Sequence, residues 1–114
     1  MRDTLPNASL IDRALYRFRR LRGFTVEGDS MLPVIKNGDI VLIRPGSAFA
    51  VGDIVLASHP YKASVKILKR VAAIDALNKV TLIGDNPAES TDSRAFGAVS
   101  IESILGRAVS RLNK

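Results

Sequence analysis

The sequence predicts a mainly β fold: a small antiparallel β domain preceded by one amphipathic helix. Three observations lead there. Apolar residues recur at helical spacing only before Gly23. After Gly23 the chain breaks into short, β-branched runs bounded by Gly, Pro, Asn or Asp. The length, 114 residues, suits one hydrophobic core rather than two.

Residues 1–8 contain Pro6 and Asn7 and read as a loose lead-in. Ser9 is placed to cap a helix, with Asp12 in the first turn. Leu10, Ile11, Ala14, Leu15, Phe18 and Leu21 form its apolar stripe, arginines occupy the other face, and Gly23 is the expected stop. The chain therefore divides into a basic amphipathic helix, 1–23, and a domain that carries the chemistry, 24–114. The stripe is expected to pack on the β core; contact with a membrane surface or docking of a substrate are its other uses.

Expected strands are 24–27, 39–44, 53–58, 64–73 and 79–83, with a short helical turn and a last strand within 99–109. Gly38-Asp39-Ile40-Val41-Leu42 and Gly52-Asp53-Ile54-Val55-Leu56 repeat the same five residues, which suits two strands each entered through a Gly-Asp turn.

Composition narrows the chemistry. There is no cysteine, which removes disulfides, thiol nucleophiles and thiolate metal sites. His59 is the single histidine; it precedes Pro60 in a turn and has no evident carboxylate partner. Aromatic residues make up 5% and Trp is absent, which argues against base stacking on nucleic acid. The net charge of +6 is concentrated in Arg2, Arg13, Arg17, Arg19, Arg20 and Arg22. No run approaches the ~20 apolar residues of a membrane span, and the N-terminus lacks the apolar core of a signal peptide. The expected location is cytoplasmic, with peripheral membrane contact left open. No cofactor and no metal site are expected.

Two segments carry reactive groups. Gly28-Asp29-Ser30-Met31-Leu32-Pro33 places a serine between a flexible glycine and a stiffening proline. Read alone, it is equally a polar turn or a turn that presents a hydroxyl and an N–H to one carbonyl. A serine needs a base, and a lysine serves only if desolvation lowers its pKa. In 64–71, strand alternation puts Val65, Ile67, Lys69 and Val71 on one apolar face. Lys66, Leu68 and Arg70 lie on the opposite, wetter side. Lys69 is thus the better base, unless its amine reaches solvent. A third segment, 84–94, reads as a long polar loop in which Asp92 can pair with Arg94 and Ser90 can hydrogen-bond an amine.

Together these segments resemble the type I signal peptidase family of serine–lysine proteases. Ser30-Met31-Leu32-Pro33 matches its nucleophile motif and Lys69-Arg70-Val71 its base motif. Gly84-Asp85-Asn86, Ser90, Asp92-Ser93-Arg94, Gly97 and Gly106-Arg107 match its C-terminal motif in order. The resemblance implies a signal-peptidase-like β core with Ser30 and Lys69 as catalytic dyad. It further implies that Ser90 orients Lys69, that Asp92 and Arg94 form a structural ion pair, and that the Ser30 N–H lines an oxyanion hole. Gly28, Asp29, Met31 and Ile67 would lie along a substrate bound as an added strand. Ala72 to Asn78 replace a Gly-Leu-Pro-Gly-Asp-like stretch, and Gly28 supplies no hydroxyl for the oxyanion.

The compact pattern, with His59-Pro60 and the segment 84–94, is most similar to the nickel-type superoxide dismutase maturation proteases. That resemblance implies a protein substrate, a nickel superoxide dismutase precursor, whose leader is removed; nickel belongs to the substrate. General signal peptidase action at a membrane surface is the alternative. A self-cleaving repressor needs a DNA-binding domain and linker that 23 residues do not hold, and a non-catalytic module does not explain Ser30 and Lys69 together.

Overall fold

The computed structural model describes residues 4–46 and 48–112. Residues 1–3 of the expected lead-in, Arg2 included, lie outside them. The order of elements is α1 (Leu10–Arg17), β1 (Arg22–Thr25), β2 (Ile40–Pro45), β3 (Ile54–His59), β4 (Lys62–Ile74), β5 (Lys79–Ile83), α2 (Ser93–Phe96), β6 (Val99–Ser100) and β7 (Ile104–Leu112). The expected mainly β class is borne out, since the strands form one seven-stranded sheet in the order β1-β2-β7-β3-β4-β5-β6. Every named strand pair is antiparallel.

The repeated pentapeptide builds the same turn twice. Gly38 and Gly52 sit at φ 89° and 97°, a region open to glycine. Asp39 Oδ2 accepts the Lys36 N–H and Asp53 Oδ2 accepts the Ala50 N–H, each at 2.9 Å. Each Asp thus closes the turn three residues back and launches a strand. In space the two strands are separated by β7.

Both faces of the central strands are covered. Ile54 and Leu56 of β3 join Val26, Met31, Ile35, Val41, Ile43 and Leu68 in one cluster. Val55 and Ala57 turn the other way, against Val71, Val80, Leu82 and Val99. Leu68 is therefore core and not on a wetter side, because the segment carrying Met31 and Ile35 folds over that face.

The N-terminal segment departs from expectation in three ways. The lead-in is not loose: Leu5 is buried in the first cluster, and Ala8 N–H and Arg111 N–H bond to Arg111 and Pro6 carbonyls along β7. Helix α1 is capped as expected, with Ser9 Oγ accepting the Asp12 N–H at 3.0 Å. It ends at Arg17 instead of reaching Gly23, because Arg19 adopts φ 63° and breaks the helical path. Gly23 lies within β1, where the Tyr16 ring packs so close that a Cβ would sit 3.1 Å from it. Finally, α1 buries none of its residues; of the expected stripe only Leu21, beyond the helix end, is fully buried, while Leu10, Ile11 and Phe18 face outward.

Candidate active site

Ser30 stands on a turn anchored by its neighbours. Met31 and Ile35 are fully buried and hold the segment against the sheet. Gly28, at φ 82°, has its N–H bonded to Asn37 Oδ1 at 2.8 Å. Ser30 itself is half-buried and lines a cavity of about 120 Å³, whose opposite wall is Lys66 to Lys69 of β4. Ile67 and Met31 also line this cavity, Met31 chiefly as a core side chain. Gly28 and Asp29 stand outside the wall, in the turn leading to it.

Lys69 is only 5% exposed. Burial pushes its amine below the ordinary value of 10.5; the Asp92 charge opposes this and Arg94 adds to it. Its Nζ donates to Ser90 Oγ at 3.2 Å. Ser90 Oγ in turn donates to Asp92 Oδ2 at 2.8 Å. Asp92 is buried, yet it also accepts the Gly84 N–H at 2.8 Å and the Arg94 N–H and Nε–H at 3.0 Å each. Burial alone would raise its carboxyl. The Arg94, Gly84 and Ser90 hydrogen bonds outweigh that and hold it well below the usual carboxylate range.

The direction of this relay follows. An ionised Asp92 accepts only, so it takes the single Ser90 proton. Ser90 Oγ must then accept from Lys69, and it leaves the lone pair of a neutral amine unused. His59 lies outside this site: its Nδ1 accepts the Tyr61 N–H at 3.1 Å in the β3–β4 turn, and its ring packs near Phe96.

Sequence reasoning missed how Gly84-Asp85-Asn86 binds the two reactive segments together. Asn86 N–H donates to the Ser30 carbonyl at 2.8 Å, and Asn86 Nδ2 to the Asp29 carbonyl at 3.0 Å. Asp85 takes a two-pronged ion pair from Arg70, the residue after Lys69, with Nε–Oδ1 2.8 Å and Nη2–Oδ2 2.7 Å. Gly84 admits no side chain, since a Cβ would lie 2.2 Å from Ser90 Oγ and 2.7 Å from the Ser30 carbonyl oxygen. Arg70 and Asp85 both stand inside the motif segments, but no local pattern in the sequence pairs them. Strand alternation said nothing about which loop would face Arg70.

The groove beside the site is bounded by open strand edges. β4 pairs with β3 between Lys62 and Arg70 and with β5 only from Arg70 onward. β1 pairs with β2 alone. Phe24 and Lys66 line both the cavity at Ser30 and an adjoining one of about 480 Å³, which continues past Ile43, Leu56 and Leu105.

One small cavity of this mainly β domain is thus lined by both Ser30 and the buried Lys69. The chain belongs to the Peptidase S24-like family, which matches residues 8–109. It is similar to mitochondrial inner membrane protease subunit 1 of Xenopus tropicalis, with 38% identity over 103 residues, 70% of this chain and 62% of that protein. The human protein of the same name is 34% identical over the same shares. That of Schizosaccharomyces pombe is 28% identical over 108 residues, 75% of this chain and 69% of the relative. The chain thus spans 62% of the length of the frog and human relatives. Among the described residues no helix is long and apolar enough to cross a membrane.

Proposed function

We propose that this chain is a serine endopeptidase in which Ser30 is the nucleophile and Lys69 the general base. The observation that carries this reading is the buried Lys69 amine, held by Ser90 in the wall of the cavity that Ser30 lines. Neutral Lys69 takes the Ser30 proton as Oγ attacks a peptide carbonyl carbon. The resulting ammonium gives that proton to the departing amine, leaving an ester on Ser30. Water, deprotonated by Lys69, then hydrolyses the ester. The Ser30 N–H donates to no protein acceptor among the described residues and is free to meet the oxyanion. Substrate enters extended, adding a strand at the open edge of β4 before Arg70. Asp92 and Arg94 stiffen the site without touching substrate, and the residues that line it fall within 24–114.

The reading for the substrate is the leader of a nickel superoxide dismutase precursor, cut in the cytoplasm. It rests on the segments 59–60 and 84–94. Co-expression with such a precursor tests it by intact mass. Leader removal that disappears with Ser30→Ala supports it, whereas removal that survives Ser30→Ala sinks the dyad. A second reading, cleavage of preproteins at a membrane surface, is favoured by the inner membrane proteases among the relatives. An uncut dismutase precursor beside Ser30-dependent cleavage of a preprotein selects it.

A further inference from the structure

Helix α1 faces the wrong way for a helix that stabilises a core. It meets the body through Tyr16, whose ring lies on Gly23, and through the half-buried Leu15. At 100° per residue Leu10, Ile11, Ala14 and Phe18 share one stripe about 100° wide, well away from Tyr16. Leu10 is 86% exposed, and Ile11 and Phe18 are 72% exposed. Contiguous apolar surface of this kind marks an interaction site. Arg13 and Arg17 border the stripe, and Arg19, Arg20 and Arg22 follow it. All five are exposed, and none joins an ion pair among the described residues. The helix is also held in place, because residues 6–8 are bonded to β7 just before it.

We propose that α1 anchors the protein on an anionic lipid surface, with Leu10, Ile11 and Phe18 entering the headgroup boundary and the five arginines meeting lipid phosphates. An apolar stripe bordered by cations is the pattern of a helix lying in a membrane interface. Nucleic acid would use the arginines but leave the stripe in water. A second copy on a two-fold axis would set the same arginines against each other. Anchoring also has a consequence for the groove. Arg22 and Gly23 line both the hollow beneath α1 and the cavity that continues from Ser30, so the lipid surface would lie at one end of that groove.

Flotation of the full chain with vesicles tests the proposal, and no cleavage is needed to read it. Native protein is expected to float with vesicles of equal parts phosphatidylcholine and phosphatidylglycerol, to float weakly with phosphatidylcholine alone, and to be released by rising salt. The triple change Leu10→Ser, Ile11→Ser and Phe18→Ser should lower partitioning by about ten-fold or more. Each of Arg17→Gln, Arg19→Gln and Arg20→Gln should lower it roughly five-fold. These side chains are exposed, so thermal melts should be unchanged. Absence of flotation with the anionic vesicles overturns the proposal. So does a triple serine variant that floats like native, or equal binding to both vesicle types. A native dimer that becomes monomeric in the triple variant, without vesicle binding, would assign the face to self-association instead.

Discussion

Lys69 Nζ lies 3.2 Å from Ser90 Oγ, a contact between residues 21 apart in sequence. It defines how the amine is used. Ser90 donates its only hydrogen to a hydrogen bond with Asp92, so the bond to Lys69 is one the lysine donates. A neutral Lys69 keeps its lone pair for another proton. The contact also sets the amine in a dry wall, where its charged form is disfavoured.

The rate of cleavage should therefore rise with pH. Burial lowers the Lys69 pKa below 10.5, and only the unprotonated amine is a base. A pH profile of kcat/KM should show one rising limb at a pH below 10.5. A flat profile between neutral and alkaline pH would remove lysine from the role.

Lys69→Met should abolish cleavage and yet stabilise the fold at neutral pH, since it removes an amine whose charged form burial disfavours and keeps the apolar stem. The sign with pH is specific. With its folded pKa below 10.5, native Lys69 binds fewer protons than the unfolded chain between those two values. Native stability then rises with pH across that window. The advantage of Lys69→Met should be largest below the folded-state pKa and shrink as pH climbs toward 10.5. Urea titrations at several pH values would measure it, and an advantage that grows with pH would contradict the buried-amine assignment.

Ser90→Ala should slow cleavage on the order of 10- to 100-fold without unfolding the chain, because the amine loses its orienting partner while its burial remains. Single-turnover kinetics on a cleavable peptide would read the loss in the chemical step. An unchanged rate would leave Ser90 a structural hydroxyl only.

Gly84→Ala should be more damaging than its size suggests. The new methyl would meet Ser90 Oγ at 2.2 Å and the Ser30 carbonyl oxygen at 2.7 Å. We expect a loss of about 1–3 kcal/mol in stability together with loss of cleavage, checked by thermal melting alongside the peptide assay. Full activity would mean that the Ser90 loop moves freely.

Much of this was legible in the chain. β5 was placed at its observed bounds, and β2, β3 and β4 within two residues at each end, because period-2 runs between turn formers are a local signal. Lys69 over Lys66 was legible too, although for half the reason. Alternation put Lys69 on an apolar face, but it also put Leu68 on a wet one, and a second apolar layer covers Leu68. The Arg70–Asp85 pair was not legible, since neither residue carries a mark of its partner 15 positions away.

Residue identity, with local period, sets which side chains are apolar, where turns must fall, and which few groups have usable chemistry. Both act over a handful of positions. The tertiary structure alone decided that β7 enters between the two repeated strands, that one loop ties Ser30 to the Lys69 strand, and that α1 turns its stripe outward. Pairing between distant strands depends on loop closure and on burial summed over the sheet. A helix stripe states only that it needs a partner, and the packed body determines whether that partner is its own core.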